Sequence, residues 1–127
     1  GLIDKQTKLY IDLASSNNIK SHKVLSNFLY LVRLKKLDDN ICLLRGKWGY
    51  FYECDINNLD QISKFIKKNC QTLSYFGLSK DYLSKFIRKN HLKGIDRIVP
   101  IGQALEIDFN WDGYDLNRIL TRIVDLK

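Results

Sequence analysis

Apolar and polar positions alternate along this chain with more than one rhythm. Between residues 4 and 14, Leu9, Ile11 and Leu13 stand among polar residues, and the stretch closes on Ser15-Ser16-Asn17-Asn18, a run that favours turns and caps. A short helix is predicted there. From Ser21 to about Lys36, Val24, Leu25, Phe28, Leu29, Leu31 and Val32 recur at steps of three and four, the period of an amphipathic helix, before Asp38-Asp39-Asn40 stops it. Residues 1–37 thus read as a helical lead-in.

The rhythm then changes. ICLLRGKWGYFYECDI, rich in aliphatic and aromatic residues, predicts two short strands joined by a tight turn around Arg45 to Lys47, the second covering about Gly49 to Cys54. Asn57 or Asn58 is placed to cap a helix whose apolar stripe is Leu59, Ile62, Phe65 and Ile66. CQTLSYFG predicts a strand ended by Gly77, Ser79 caps a helix with Tyr82, Leu83, Phe86 and Ile87 on one face, and DRIVPIG is the next strand. Asp112 or Asp115 caps a last helix carrying Leu116, Ile119, Leu120, Ile123 and Leu126. Strands alternating with helices over 41–127 imply β-α-β units, and the expected fold class is α/β with a small, mostly parallel sheet.

Composition narrows this picture. At 127 residues the chain is one domain's worth, and no apolar run approaches the roughly 20 residues of a membrane span. The N-terminal residues lack the apolar core of a signal peptide, which suggests a cytoplasmic setting. Methionine is absent altogether, so the chain reads either as a single domain or as a C-terminal fragment of something longer. Cys42, Cys54 and Cys70 are widely and irregularly spaced, a pattern that suits reduced, packed thiols better than disulfides or zinc. The net charge of +7 attracts anions, but the lysines are dispersed at surface spacing. A basic nucleic-acid-binding module is therefore an alternative rather than the favoured reading.

Candidate chemistry is sparse. His22 and His91 have no recognisable catalytic partner, and Glu106, Asp108, Asp112 and Asp115 lack the alternating oxygens and closing glutamate of a calcium loop, so no metal is assigned. The glycines form neither a dinucleotide-binding nor a P-loop run. Arg97 is a charge inside an otherwise apolar strand, to be paired with a carboxylate or a carbonyl, or else to meet a ligand. Pro100 suits the point where its strand leaves the sheet, and Gly102 and Gly113 permit sharp turns.

The run CQTLSYFG, a helix, GIDRIVPIGQAL, and WDGYDL leading into a final helix resembles the C-terminal part of the long-chain acyl-CoA reductase family, which includes the fatty aldehyde-forming reductase of bacterial bioluminescence. The likeness is best over 70–125, extends to RGKWGYFYE at 45–53, and is slight upstream of Ile41. It implies an aldehyde-dehydrogenase-like fold, NADPH as cofactor, and an acyl-CoA or acyl-protein thioester as substrate. An active-site cysteine takes up the acyl group; both it and most of the cofactor site would precede Gly1, so the catalytic role is carried to no residue here. Homo-oligomers or acyl-transferring partner subunits are the implied partners. The loop 102–113 would border the acyl entrance or a subunit interface, with Arg97, Gln103, Trp111 and Asp112 as candidate substrate-binding residues. A non-catalytic oligomerisation or interaction domain is a further alternative.

Overall fold

A computed structural model describes residues 1–39, 41 and 44–126. The fold is mixed α/β with small sheets, and its contacts gather into two compact units, Gly1–Phe65 and Ile66–Lys127. The boundary expected near residues 37 to 41 therefore falls inside the first unit. Among the described residues no helix is long and apolar enough to cross a membrane.

The first unit opens with α1 (Leu2–Ser15), close to the predicted helix, with Lys5 and Leu9 buried one turn apart on the same face. Next come β1 (Ile19–Leu25) and β2 (Leu29–Leu34), an antiparallel hairpin closed by residues 26–28, and then β3 (Tyr50–Glu53), which pairs with β2 in parallel. The predicted helix from Ser21 to Lys36 is thus replaced by two strands, and of the lead-in over 1–37 only the part in α1 is helical. The physical reason lies in burial. Tyr30, Val32 and Leu34 alternate with Leu31 and Arg33, and all three of the former are buried on one face; Phe28, placed on the apolar stripe of the expected helix, is exposed. A continuous apolar run such as Leu29 to Val32 fits either period, and tertiary packing decided for strand.

Register places Tyr30 beside Tyr50 and Val32 beside Tyr52. Tyr30, Val32 and Tyr50, with Leu9 and Leu34, form the core of this unit, flanked by Ile19, Leu44, Tyr52 and Cys54, and Val32 is fully buried. Of the two strands predicted in ICLLRGKWGYFYECDI, the second is β3. Cys42 and Leu43 of the first lie outside the described residues, and 44–47 are not strand. The helix expected after Asn57 is a 3-10 helix, Leu59–Phe65, and at its start the Gln61 side-chain oxygen accepts the Asn57 N–H at 2.9 Å.

In the second unit, β4 (Thr72–Tyr75), α2 (Lys80–Asn90) and β5 (Arg97–Pro100) make one β-α-β unit, the strands pairing in parallel. Ser79 Oγ accepts the Tyr82 N–H at 3.2 Å, the predicted cap, and His91 ends the helix in the left-handed conformation. Leu83 and Phe86 are buried as the stripe requires. Gly94 is needed for the return: a Cβ there would sit 2.1 Å from the Lys67 carbonyl oxygen. Beyond β5 come the two-residue strands β6 (Asn110–Trp111) and β7 (Tyr114–Asp115), an antiparallel hairpin, and α3 (Leu116–Leu120). α3 is one turn and a half, not the helix to Leu126 that the periodicity suggested. Thr121, β-branched, is extended and returns its hydroxyl and N–H to the Asn117 carbonyl. The described strands thus lie in sheets of three, two and two, with two pairings parallel and two antiparallel.

Candidate functional site

Arg97 is the first residue of β5 and is half-buried. Its guanidinium donates to the carbonyl of Ala104 at 3.2 Å and to that of Glu106 at 2.7 Å, and its central carbon lies 4.4 Å from the centroid of Trp111. The planar, forked donor array suits two carbonyls on one loop while its face stacks on an indole. The pairing expected for this strand-borne charge is found, with carbonyls as its partners. One side chain therefore ties the loop after β5 to the β6–β7 hairpin.

The rest of the loop is set by turns. Gly102 takes φ +96° while the Gln103 N–H donates to the Pro100 carbonyl at 3.1 Å, closing a tight turn where β5 ends. Pro100, exposed and paired with Tyr75 at the last ladder position, stands where the strand leaves the sheet. Gln103 is exposed; its carbonyl accepts the Glu106 N–H, so its backbone shapes the loop.

Asp112 and Gly113 both have positive φ, +49° and +79°, and join Trp111 directly to Tyr114. That is the two-residue hairpin turn with both central residues left-handed, for which Asp-Gly is a preferred pair. Asp112 is thus a turn residue rather than a helix cap, and Asp115 takes the capping role by accepting the Arg118 N–H at 3.3 Å. A Cβ at Gly113 would stand 3.1 Å from Asp96 Oδ1, so the Asp96 carboxylate packs against the turn. Arg97 and Trp111 are in contact, Asp112 adjoins Trp111 in the hairpin, and Gln103 sits one residue before the carbonyl of Ala104.

A second polar cluster escaped the sequence reading. In the first unit Asp12 Oδ2 accepts the hydroxyls of Tyr50 at 2.7 Å and Tyr52 at 2.5 Å, and Oδ1 accepts from Lys8 Nζ at 3.2 Å. Burial, reinforced by the hydrogen bond to Asp12, pushes both phenols above their ordinary range. Burial alone would lower the Lys8 ammonium, but its bonds to Tyr52 and Asp12 outweigh that and raise it. The cluster is a brace between α1 and β3 that keeps its phenolic protons. Only the helical spacing of Lys8 and Asp12 pointed to it.

Cys54 and Cys70 are half-buried thiols, Sγ of Cys54 lying 3.7 Å from the Asp55 carbonyl oxygen and that of Cys70 3.8 Å from Asn69 Oδ1; Cys42 lies outside the described residues. His22, expected near a helix start, is an exposed residue of β1. Among the described residues no three His, Cys, Asp or Glu side chains converge. No protein-family model matches the chain, and comparison with curated proteins and with solved structures returns no match.

Proposed function

We propose that this chain is the C-terminal segment of an NADPH-dependent reductase that converts a long-chain acyl-CoA or acyl thioester to a fatty aldehyde in the cytoplasm. The carrying observation is the loop 101–109. It leaves the carboxyl end of the parallel β4–β5 pair, the edge at which open α/β sheets bind ligands, and is tied by Arg97 to Trp111. Leu105 and Ile107 on that loop are 88% and 83% exposed and Phe109 is exposed as well, an apolar run suited to covering an acyl chain. In this reading the β4–α2–β5 unit is one piece of a larger, mostly parallel aldehyde-dehydrogenase-like sheet.

The residues present do not fit a nicotinamide site: no glycine-rich phosphate loop follows a strand, and Gly102 and Gly113 serve turns. NADPH and the nucleophilic cysteine are assigned to polypeptide preceding Gly1, and no step is routed through them here. This chain's part is to shape the acyl entrance, Arg97 positioning the loop and Trp111 with Gln103 and Asp112 at its rim. The test is NADPH-dependent aldehyde release from acyl-CoA by the polypeptide of the complete reading frame. Trp111→Ala should raise KM for long chains more than for short ones, whereas no aldehyde from the intact polypeptide contradicts the reading.

One observation favours a second reading, an interaction or oligomerisation domain: Ile119, Leu120, Ile123, Val124 and Leu126 are all exposed. Light scattering on the purified chain separates a monomer from a defined oligomer.

A further inference from the structure

The segment Arg45-Gly46-Lys47-Trp48-Gly49 is given no binding role by the reductase reading, yet its conformation is tightly specified. A Cβ at Gly46 would fall 1.7 Å from the Tyr50 carbonyl oxygen, and one at Gly49, where φ is +85°, would fall 2.1 Å from that of Phe28. Both glycines let the segment fold down on the start of β3 and on the hairpin turn. Trp48 between them has φ +58°, a conformation that large side chains avoid, and is 71% exposed, so burial within the chain does not account for its placement.

These residues line an open cleft of about 350 Å³ together with Lys5 and Lys8 of α1 and Tyr50 of β3. Asp4 is the carboxylate on its wall, and Lys8 is matched by Asp12. Among the described residues no salt bridge holds Lys5, Arg45 or Lys47, although Lys47 lies within the electrostatic reach of Asp4. Lys5 is the most telling of them. It is 6% exposed, and its ammonium donates to the carbonyls of Asn27 and Phe28 and lies 5.1 Å from the Tyr30 ring centroid, with no carboxylate. A buried, uncompensated ammonium beside two exposed cations makes a cleft that favours a multiply charged anion. An exposed indole on its edge offers a flat face to a π-system.

We propose that this cleft binds a nucleoside phosphate, the phosphate held by Arg45 and Lys47 in the field of Lys5 and the base stacked on Trp48. The volume lies within the range of small-ligand sites, and phosphate with an aromatic base is the chemistry that uses both features at once. The proposal goes beyond the reductase reading and stands or falls without it, because it concerns residues of the first unit and is tested on the chain alone.

Calorimetric titration of the 127-residue chain with ADP, adenosine, ribose 5-phosphate, inorganic phosphate and a short oligothymidylate tests it. ADP should bind at one saturable site, weakening as salt is added, with adenosine and ribose 5-phosphate each about tenfold weaker or more. The pair Arg45→Gln and Lys47→Gln should weaken ADP about tenfold or more and leave adenosine unchanged. Trp48→Gly, which suits the left-handed backbone, should weaken ADP about tenfold and leave ribose 5-phosphate unchanged, while Trp48→Phe restores most of the affinity. All three side chains are exposed, and far-UV circular dichroism establishes that the variants fold. ADP binding no tighter than adenosine, or equal binding by the Arg45/Lys47 variant, overturns the proposal. So does tighter binding of the oligothymidylate, which would assign the cleft to nucleic acid.

Discussion

The two units of this chain solve the problem of a small core differently. The first buries Leu9, Tyr30, Val32, Leu34, Tyr50 and Phe65 and braces its helix to its sheet with a carboxylate bridging two phenols. In the second, Leu83 and Phe86 alone among the described residues reach the same burial, both on α2, and the segment after β5 is held by backbone turns, one arginine and one hairpin. Most of its large apolar side chains from Ile101 to Leu126 are exposed, the last at 93%, while Trp111 and Leu116 are half-buried. Burial of side chains shapes the first unit, whereas hydrogen bonds shape the end of the second and leave its apolar surface available. Such a surface is what a segment that completes its environment with other polypeptide, or with an acyl chain, would present.

This contrast can be broken by substitution. Tyr50→Ala removes a buried ring and leaves Asp12 short of a donor, and should cost about 3–5 kcal/mol in urea denaturation, the largest single effect. A loss below about 1 kcal/mol would mean that the first unit does not depend on its core. Arg97→Ala should cost about 2 kcal/mol and speed amide exchange at Glu106 and Leu116, whose N–H groups are bonded within the loop it secures; Arg97→Lys, which keeps the charge but not the fork, should rescue little. Ser79→Ala should cost about 1 kcal/mol through the lost α2 cap.

The smallest effect near neutrality, also about 1 kcal/mol or less, is Tyr52→Phe, and it carries a pH signature. Both phenols titrate above their ordinary value of 10.0 in the folded chain, so their contribution is fully present below that pH and is lost as pH rises through the folded value. The stability difference between wild type and Tyr52→Phe should therefore shrink as melts are taken from about pH 9 to about pH 11. A difference that stays flat would show that Asp12 does not hold the proton on Tyr52.

The sequence made some of this legible and concealed the rest for identifiable reasons. Local chemistry was readable: the Ser79 cap, the α2 stripe, the strand at RIVP and the need of Arg97 for a partner all follow from neighbours in the chain. Residues 21–36 read as helix because an apolar run with both three-four and alternating spacing carries no unique period, and the contacts with Leu9 and Tyr50 that decide for strand are distant in sequence. Asp112-Gly113 did carry a usable signal. An Asp-Gly pair flanked by Trp and Tyr is a hairpin turn, and weighing it as a cap hid that. The Asp12 brace and the Arg45–Trp48 cleft gather residues from α1 and from the segment before β3, a juxtaposition that no local pattern announces.

The two units offer different chemistry, a cationic cleft with an indole in the first and an exposed apolar loop secured by Arg97 in the second. Residue-resolved NMR titration of the chain with ADP and, separately, with a long-chain fatty aldehyde tests this difference most directly. ADP should shift the amides of Arg45, Lys47 and Trp48, and the aldehyde those of Leu105, Ile107 and Trp111. Saturable shifts on the same residues with both ligands, or on neither set, would contradict it.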